Sequence, residues 1–233
     1  FQTPKFVRIA RYGKKIQMNE GVCPAYSDCR MGLSPDKFIL SYCDRALGIT
    51  SAEEQPVLPK GNNLSLHLLE LFTSQVAKVG MTDGIRQVLQ EESDALRAYY
   101  EQAGILIARP AGGTSCRLAI SAKGGTNAEN HNHNDVGSYA VALGSETMVG
   151  DQGGPNSYPG DYFNGDAPQK YKIKGSFGHP VPVVDGRTQS SGGKAKGVVL
   201  QKEFTNEKDV FSIDYTSAYS TPNLDKLIRT FVY

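Results

Sequence analysis

The sequence predicts an α+β protein in which a helical segment is followed by an antiparallel β domain, with the change of character near residues 101–105. Three observations predict it. Apolar residues recur at helical spacing between capping signals through the first hundred positions. Alternating and β-branched runs broken by glycine take over after Gly104. The two kinds of segment do not interleave, which argues for two layers or domains and against a repeated βαβ unit. We place the helical part at residues 1–103 and the β part at 104–233, a length that can bury a substantial core.

Ser34-Pro35-Asp36 reads as an N-cap with proline at the first helical position, and Gly48 reads as a stop. Between them Ile39, Cys43 and Leu47 share one face, with Phe38, Tyr42 and Ala46 in the adjoining row, so a helix is expected over about 35–47. The leucine-rich run from Asn63 (LSLHLLELFTSQVAKV) predicts a helix buried on much of its circumference, with His67 as a packing residue. Thr82 caps a further helix through Val88 and Leu89, and a short one is expected from Ala95 to Tyr100.

Strands are expected over 105–109, 117–122, 136–143, 181–184, 198–204, 210–215 and 227–233. The Gly-Gly pairs at 112, 124, 153 and 192 read as turns. The connection 152–178 is long for a compact domain and rich in tyrosine, which points to a functional loop. The chain opens at Phe1 without methionine, and Lys226–Tyr233 is an apolar run that lacks a turn or polar tail. A piece of a longer protein, truncated at the C-terminus, is therefore expected.

Lysine plus arginine (25) nearly balance aspartate plus glutamate (24), so the general basic field of a nucleic-acid binder is missing. No apolar run reaches the 18 or so residues that a membrane helix needs. Four cysteines are too few for a disulfide framework in a chain of this length. Cys23 and Cys29 could pair in an oxidising compartment or remain small buried thiols, and their spacing is not that of zinc ligands.

Three of only four histidines, His131, His133 and His179, lie in the β part. A residue period of two places His131 and His133 on the same side of an extended backbone. Asp151 follows the next expected strand and His179 begins another, so a carboxylate and two or three imidazoles can meet at neighbouring strand ends. Such a set, with an open position, suits Zn²⁺ and also Fe²⁺ or Mn²⁺. Lys170, Lys172 and Lys174 alternate, which would aim them from one strand face at sulfate or carboxylate groups, or simply at solvent.

A His-x-His-x-Asp run resembles metallo-β-lactamase-like hydrolases, but Val136 stands where their motif continues with histidine, and the chain has too few histidines. His133, Asp135 and His179, followed by Arg187, resemble the two-histidine, one-carboxylate site of iron and 2-oxoglutarate oxygenases, which leaves Asp151 without a role. A non-catalytic carbohydrate-binding module that keeps a structural metal is a third possibility.

The widest match has four parts: Ala103-Gly104-Ile105 to Arg109, the run Asn130 to Tyr139 (NHNHNDVGSY), Asp151-Gln152-Gly153, and His179 ahead of Val183-Val184-Asp185-Gly186. In that order they resemble heparinase II/III-type polysaccharide lyases over about residues 95–190. The resemblance implies the end of an (α/α) toroid followed by an antiparallel β-sandwich, and zinc held by His133, Asp151 and His179. It implies that this metal shapes the active-site wall and does not activate water. Asp135 and the asparagines would orient the ligands.

His131 would line the cleft as base or carboxylate partner, helped by a loop tyrosine, Tyr162 ahead of Tyr158, with Lys172 and Lys174 binding substrate. The implied reaction is β-elimination at a uronic acid of an anionic polysaccharide, in a secreted or periplasmic enzyme. The toroid's own catalytic residues have no counterpart in residues 1–100, so the isolated chain is expected to be weak or inactive.

Overall fold

A computed structural model describes residues 3–49, 83–93 and 96–233. The expected helix from Asn63, together with His67 and Thr82, lies outside the described residues. Two compact units emerge, one of residues 1–16 with 34–95, the other of residues 17–33 with 96–233. The strand-built unit thus comprises Gln17–Leu33 together with the chain from Leu96 onward.

In the first unit, helices span Pro4–Ala10, Tyr12–Lys15, Lys37–Ala46 and Asp83–Ser93. The cap of Lys37–Ala46 is Asp36 and not Ser34. Its Oδ1 accepts from the backbone N–H groups of Phe38 (2.8 Å) and Ile39 (3.1 Å), and Pro35 precedes the helix. Of the expected apolar rows, Phe38 and Leu47 are buried and Ile39 is exposed, while Asp44 also turns inward, bonded to Arg11 and Lys14. Val7, Leu47, Ile85 and Val88 form the apolar core of this unit.

In the second unit a five-stranded antiparallel sheet runs in the order β1-β2-β3-β5-β6: Arg97–Tyr100, Ile105–Ala108, Leu118–Lys123, Tyr139–Leu143 and Glu146–Val149. A second sheet has the order β10-β9-β8, from Ile228–Val232, Asp209–Asp214 and Val198–Phe204. A short pair joins β4 (Thr126–Asn127) to β7 (Gly192–Lys196). Leu106 and Ala122 of the first sheet and Phe211 and Ile213 of the second share one core cluster, with Tyr99, Val199, Phe204 and Phe231 against it. Each large apolar side chain buried there contributes roughly 1.5–3 kcal/mol. The chain is thus α+β with antiparallel sheets.

Three expectations need correction. Arg97–Tyr100, expected within a short helix, is a strand that pairs antiparallel with Ile105–Ala108, and Tyr99 stacks edge-on with Phe204 and Phe211 at 5.7 Å. Aromatic residues suit such a pleated, half-buried surface. The hairpin closes at Gly104, whose positive φ and closeness to Gly125 leave no room for a Cβ.

Residues 181–184 form no strand, because Pro180 and Pro182 lack the N–H a ladder needs and Asp185-Gly186 turns the chain tightly, pairing Val184 with Arg187. Gly192-Gly193 begins β7 and is not a turn. The loop 152–178 is built and ordered: Tyr158, Tyr162, Phe163 and Tyr171 form a ring cluster with centroids 5.1–5.5 Å apart. All four cysteines are free thiols, so Cys23 and Cys29 are unpaired.

Candidate metal centre

The run 128–138 carries the chemistry, and buried amides hold it in shape. Asn127 donates to Gln189 Oε1 (3.0 Å) and to the Ser190 carbonyl (2.8 Å), while its own Oδ1 accepts from the Asp135 N–H. Gln189 brackets Val136, accepting from its N–H at 3.0 Å and donating to its carbonyl at 2.7 Å. Asn134 donates to the Gln189 carbonyl and, through its backbone N–H, to the Lys174 carbonyl. The run is irregular, so its polar groups need these partners once water is excluded. His131 has φ +56°, in the left-handed region, so the expected even alternation with His133 does not hold.

His133, Asp151 and His179 come together, each fully enclosed, with one donor atom from each within 4.8 Å of the others. The two imidazole centroids are 5.2 Å apart. Asp151 is fixed by Ser138 Oγ (3.2 Å) and the Gly153 N–H (2.9 Å), and its Oδ2 lies 2.6 Å from His179 Nδ1. His133 Nδ1 and His179 Nε2 are buried and have no hydrogen-bond partner. Two unsatisfied ring nitrogens beside a buried carboxylate are costly unless something binds there, and the donor set fits a divalent cation. Burial, then the neighbouring His179, lowers the pKa of His133, which favours the neutral imidazole that metals take.

Asp135 is not part of this cluster. Its two oxygens take Lys123 Nζ at 2.6 and 2.8 Å, both side chains buried, with the Tyr26 ring 5.9 Å from the ammonium. The oxygenase-like set, which needs Asp135 as ligand, is therefore not assembled; the carboxylate beside the two histidines is Asp151.

A residue the sequence reading missed sits at the centre's edge. Asp28 faces His131 Nδ1 at 2.7 Å with one oxygen and His133 Nε2 at 3.0 Å with the other. The His131 side chain is 64% exposed above the enclosed His133, and Phe163 lies edge-on to it at 5.4 Å. No local motif marks Asp28, which lies more than a hundred positions upstream.

Tyr162 and Tyr158, the two loop tyrosines expected to share the proton transfer, differ in burial. Tyr162 is 1% exposed, with its hydroxyl 3.1 Å from His133 Nε2, and burial together with Asp28 raises its pKa. Tyr158 is 45% exposed at the rim.

The lysine row does not form either, because the chain coils through a short helix at Ala167–Lys170 and turns after it. Lys170 bonds Asp161, and Lys172 is exposed. Lys174 is buried, donating to the Tyr162 carbonyl at 2.9 Å and lying over the Tyr162 and Phe163 rings.

No known protein-family profile and no curated protein matches the chain. Solved structures do. The heparan sulfate lyase HepC from Pedobacter heparinus matches with 15% identity and a TM-score of 0.57, over 94% of this chain and 29% of that one. The heparinase III BT4657 gene product with methylated lysines matches with 12% identity and a TM-score of 0.57, over 97% and 29%. A crystal structure of heparinase III matches with 14% identity and a TM-score of 0.50, over 99% and 32%. The chain spans about a third or less of each. At these identities the likeness is one of fold, and it extends over nearly the whole of this chain.

Proposed function

We propose that this chain forms the metal-bearing β wall of a polysaccharide lyase that cleaves anionic, uronate-containing glycans by β-elimination. In this reading the helical unit is the end of an (α/α) toroid and the two antiparallel sheets belong to a β-sandwich. The observation that carries it is an exposed imidazole, His131, seated on an enclosed two-histidine, one-aspartate cluster with unsatisfied ring nitrogens. The fold shared with heparan sulfate lyases supports the same reading.

His133, Asp151 and His179 would hold zinc, in preference to Fe²⁺ or Mn²⁺, and the ion would supply fixed positive charge that stiffens the wall. His131 would face the substrate, as base toward the C5 proton or as partner of the uronate carboxylate. Loss of that proton and rupture of the bond from C4 to the glycosidic oxygen leave an unsaturated sugar. Tyr158 stands at the exposed rim as the second proton-transfer group, and Tyr162 acts behind it by packing on His133. Lys172, exposed on the same loop, would meet acidic groups of the substrate. The remaining acid–base residues would come from a longer parent protein, secreted or periplasmic, and the 233-residue chain alone would be weak or inactive.

The test is turnover of heparan-type, chondroitin-type and alginate polymers by the full-length parent, followed through the ultraviolet absorbance of the new double bond. His131→Ala should lower the rate by about 10²- to 10⁴-fold. Binding of polymer without turnover in the unaltered protein would overturn the lyase reading and leave a carbohydrate-binding module.

A further inference from the structure

Asp28 is held at the centre more firmly than a surface turn requires. Ser27 before it has a left-handed φ of +55°, and the neighbouring Tyr26 hydroxyl is bonded to Ser121 Oγ at 2.8 Å in the interior. Arg30 bridges to Gly153, and the Gly154 N–H donates to the Cys29 carbonyl. Gly153 and Gly154 lie directly under this turn. A Cβ on Gly153 would overlap the Cys29 carbonyl, and one on Gly154 would collide with the backbone of Asp28. These glycines follow Asp151 by two and three positions, so the seat of Asp28 and the metal cluster are set by one piece of backbone.

A carboxylate accepts hydrogen bonds and does not donate them, so a ring nitrogen that faces it must carry the proton. His133 Nε2 and His131 Nδ1 both face Asp28. The opposite nitrogen of His133, Nδ1, is then a bare lone pair, and it is the one buried without a partner.

We infer that Asp28 is a positioning residue that orients two imidazoles with one carboxylate, presenting His133 Nδ1 to the metal and His131 Nε2 to the substrate. Outer carboxylates of this kind fix the tautomer and angle of ligand histidines. Here the same group also sets the substrate-facing ring, so loss of Asp28 disturbs metal affinity and His131 geometry together. The inference deepens the metal and lyase reading and rests on it.

The experiment uses the 233-residue chain. Nitrogen-15 NMR of the metal-free protein at neutral pH reads the tautomers directly, and the inference expects His133 as Nε2–H and His131 as Nδ1–H. Zinc titration against a chromogenic chelator should give a 10- to 100-fold weaker site in Asp28→Asn and Asp28→Ala, with both histidine tautomer signals changed. Unchanged zinc affinity and unchanged tautomers in folded variants would overturn it. Should the variants not fold, the unaltered chain still decides, because His133 found as Nδ1–H refutes the inference. If the unaltered chain binds no zinc but shows the expected tautomers, the metal reading fails while the hold of Asp28 on both rings stands.

Discussion

Two enclosed polar clusters arise within a few residues of one loop, and they are completed differently. Lys123 and Asp135 satisfy each other, ammonium to both carboxylate oxygens, with Ser27 Oγ as a further contact. His133, Asp151 and His179, also buried, include two ring nitrogens without a hydrogen-bond partner. Burying charge is costly in both places, but only the first cluster contains its own compensation. The contrast separates the two on chemical grounds: one is a closed pair, and the other is a donor set that could hold a divalent cation.

Breaking the closed pair should have the largest effect. Asp135→Ala leaves an ammonium buried without its partner and should cost about 3–5 kcal/mol in denaturant unfolding, whereas Lys123→Met combined with Asp135→Leu should be close to neutral. If the single and double changes cost the same, the pair is not what holds the loop. The open cluster should respond in the opposite sense. Zinc at about a hundred times its Kd should stabilise the unaltered chain by ~2.7 kcal/mol and leave His179→Ala unmoved. An unchanged melting curve would mean that the ring nitrogens do not bind zinc.

A smaller effect comes from Asp214, a closed cluster nearer the surface. The Thr216 hydroxyl, then its backbone N–H, hold this carboxyl below its usual pKa. A depressed carboxylate contributes stability above its unfolded pKa and loses it as pH falls through the folded value. Asp214→Asn should therefore lower stability modestly at neutral pH, with the gap closing as pH falls below the ordinary aspartate range. A gap that persists in acid would point to lost packing instead of charge.

The meeting of His133, Asp151 and His179 was legible because histidine is rare and Asp151 follows an expected strand. Six of the ten described strands were legible too, since β2, β3, β5, β8, β9 and β10 alternate or carry β-branched residues. Arg97–Tyr100 was misread because four residues are too few for periodicity to separate helix from strand, and cross-strand pairing with Ile105–Ala108 decided the matter. The lysine row failed because alternation in sequence means one face only if the backbone stays extended. Tyr162 and Tyr158 are equivalent by composition, and only packing tells the enclosed ring from the exposed one. Asp28 was invisible for a different reason: its role is created by a turn that returns from far upstream to lie against Gly153 and Gly154.

That return has a practical consequence for anyone who cuts the chain. A shortened protein starting at Leu96 would keep all ten described strands and every histidine of the centre, yet it would lack the strip from Gln17 to Leu33. The backbone above the two glycines would be missing, and both imidazoles would lose the carboxylate that faces them. Such a protein could pass every check of secondary structure and still be a poor mimic of the parent, so dissection should follow contact and not linear order.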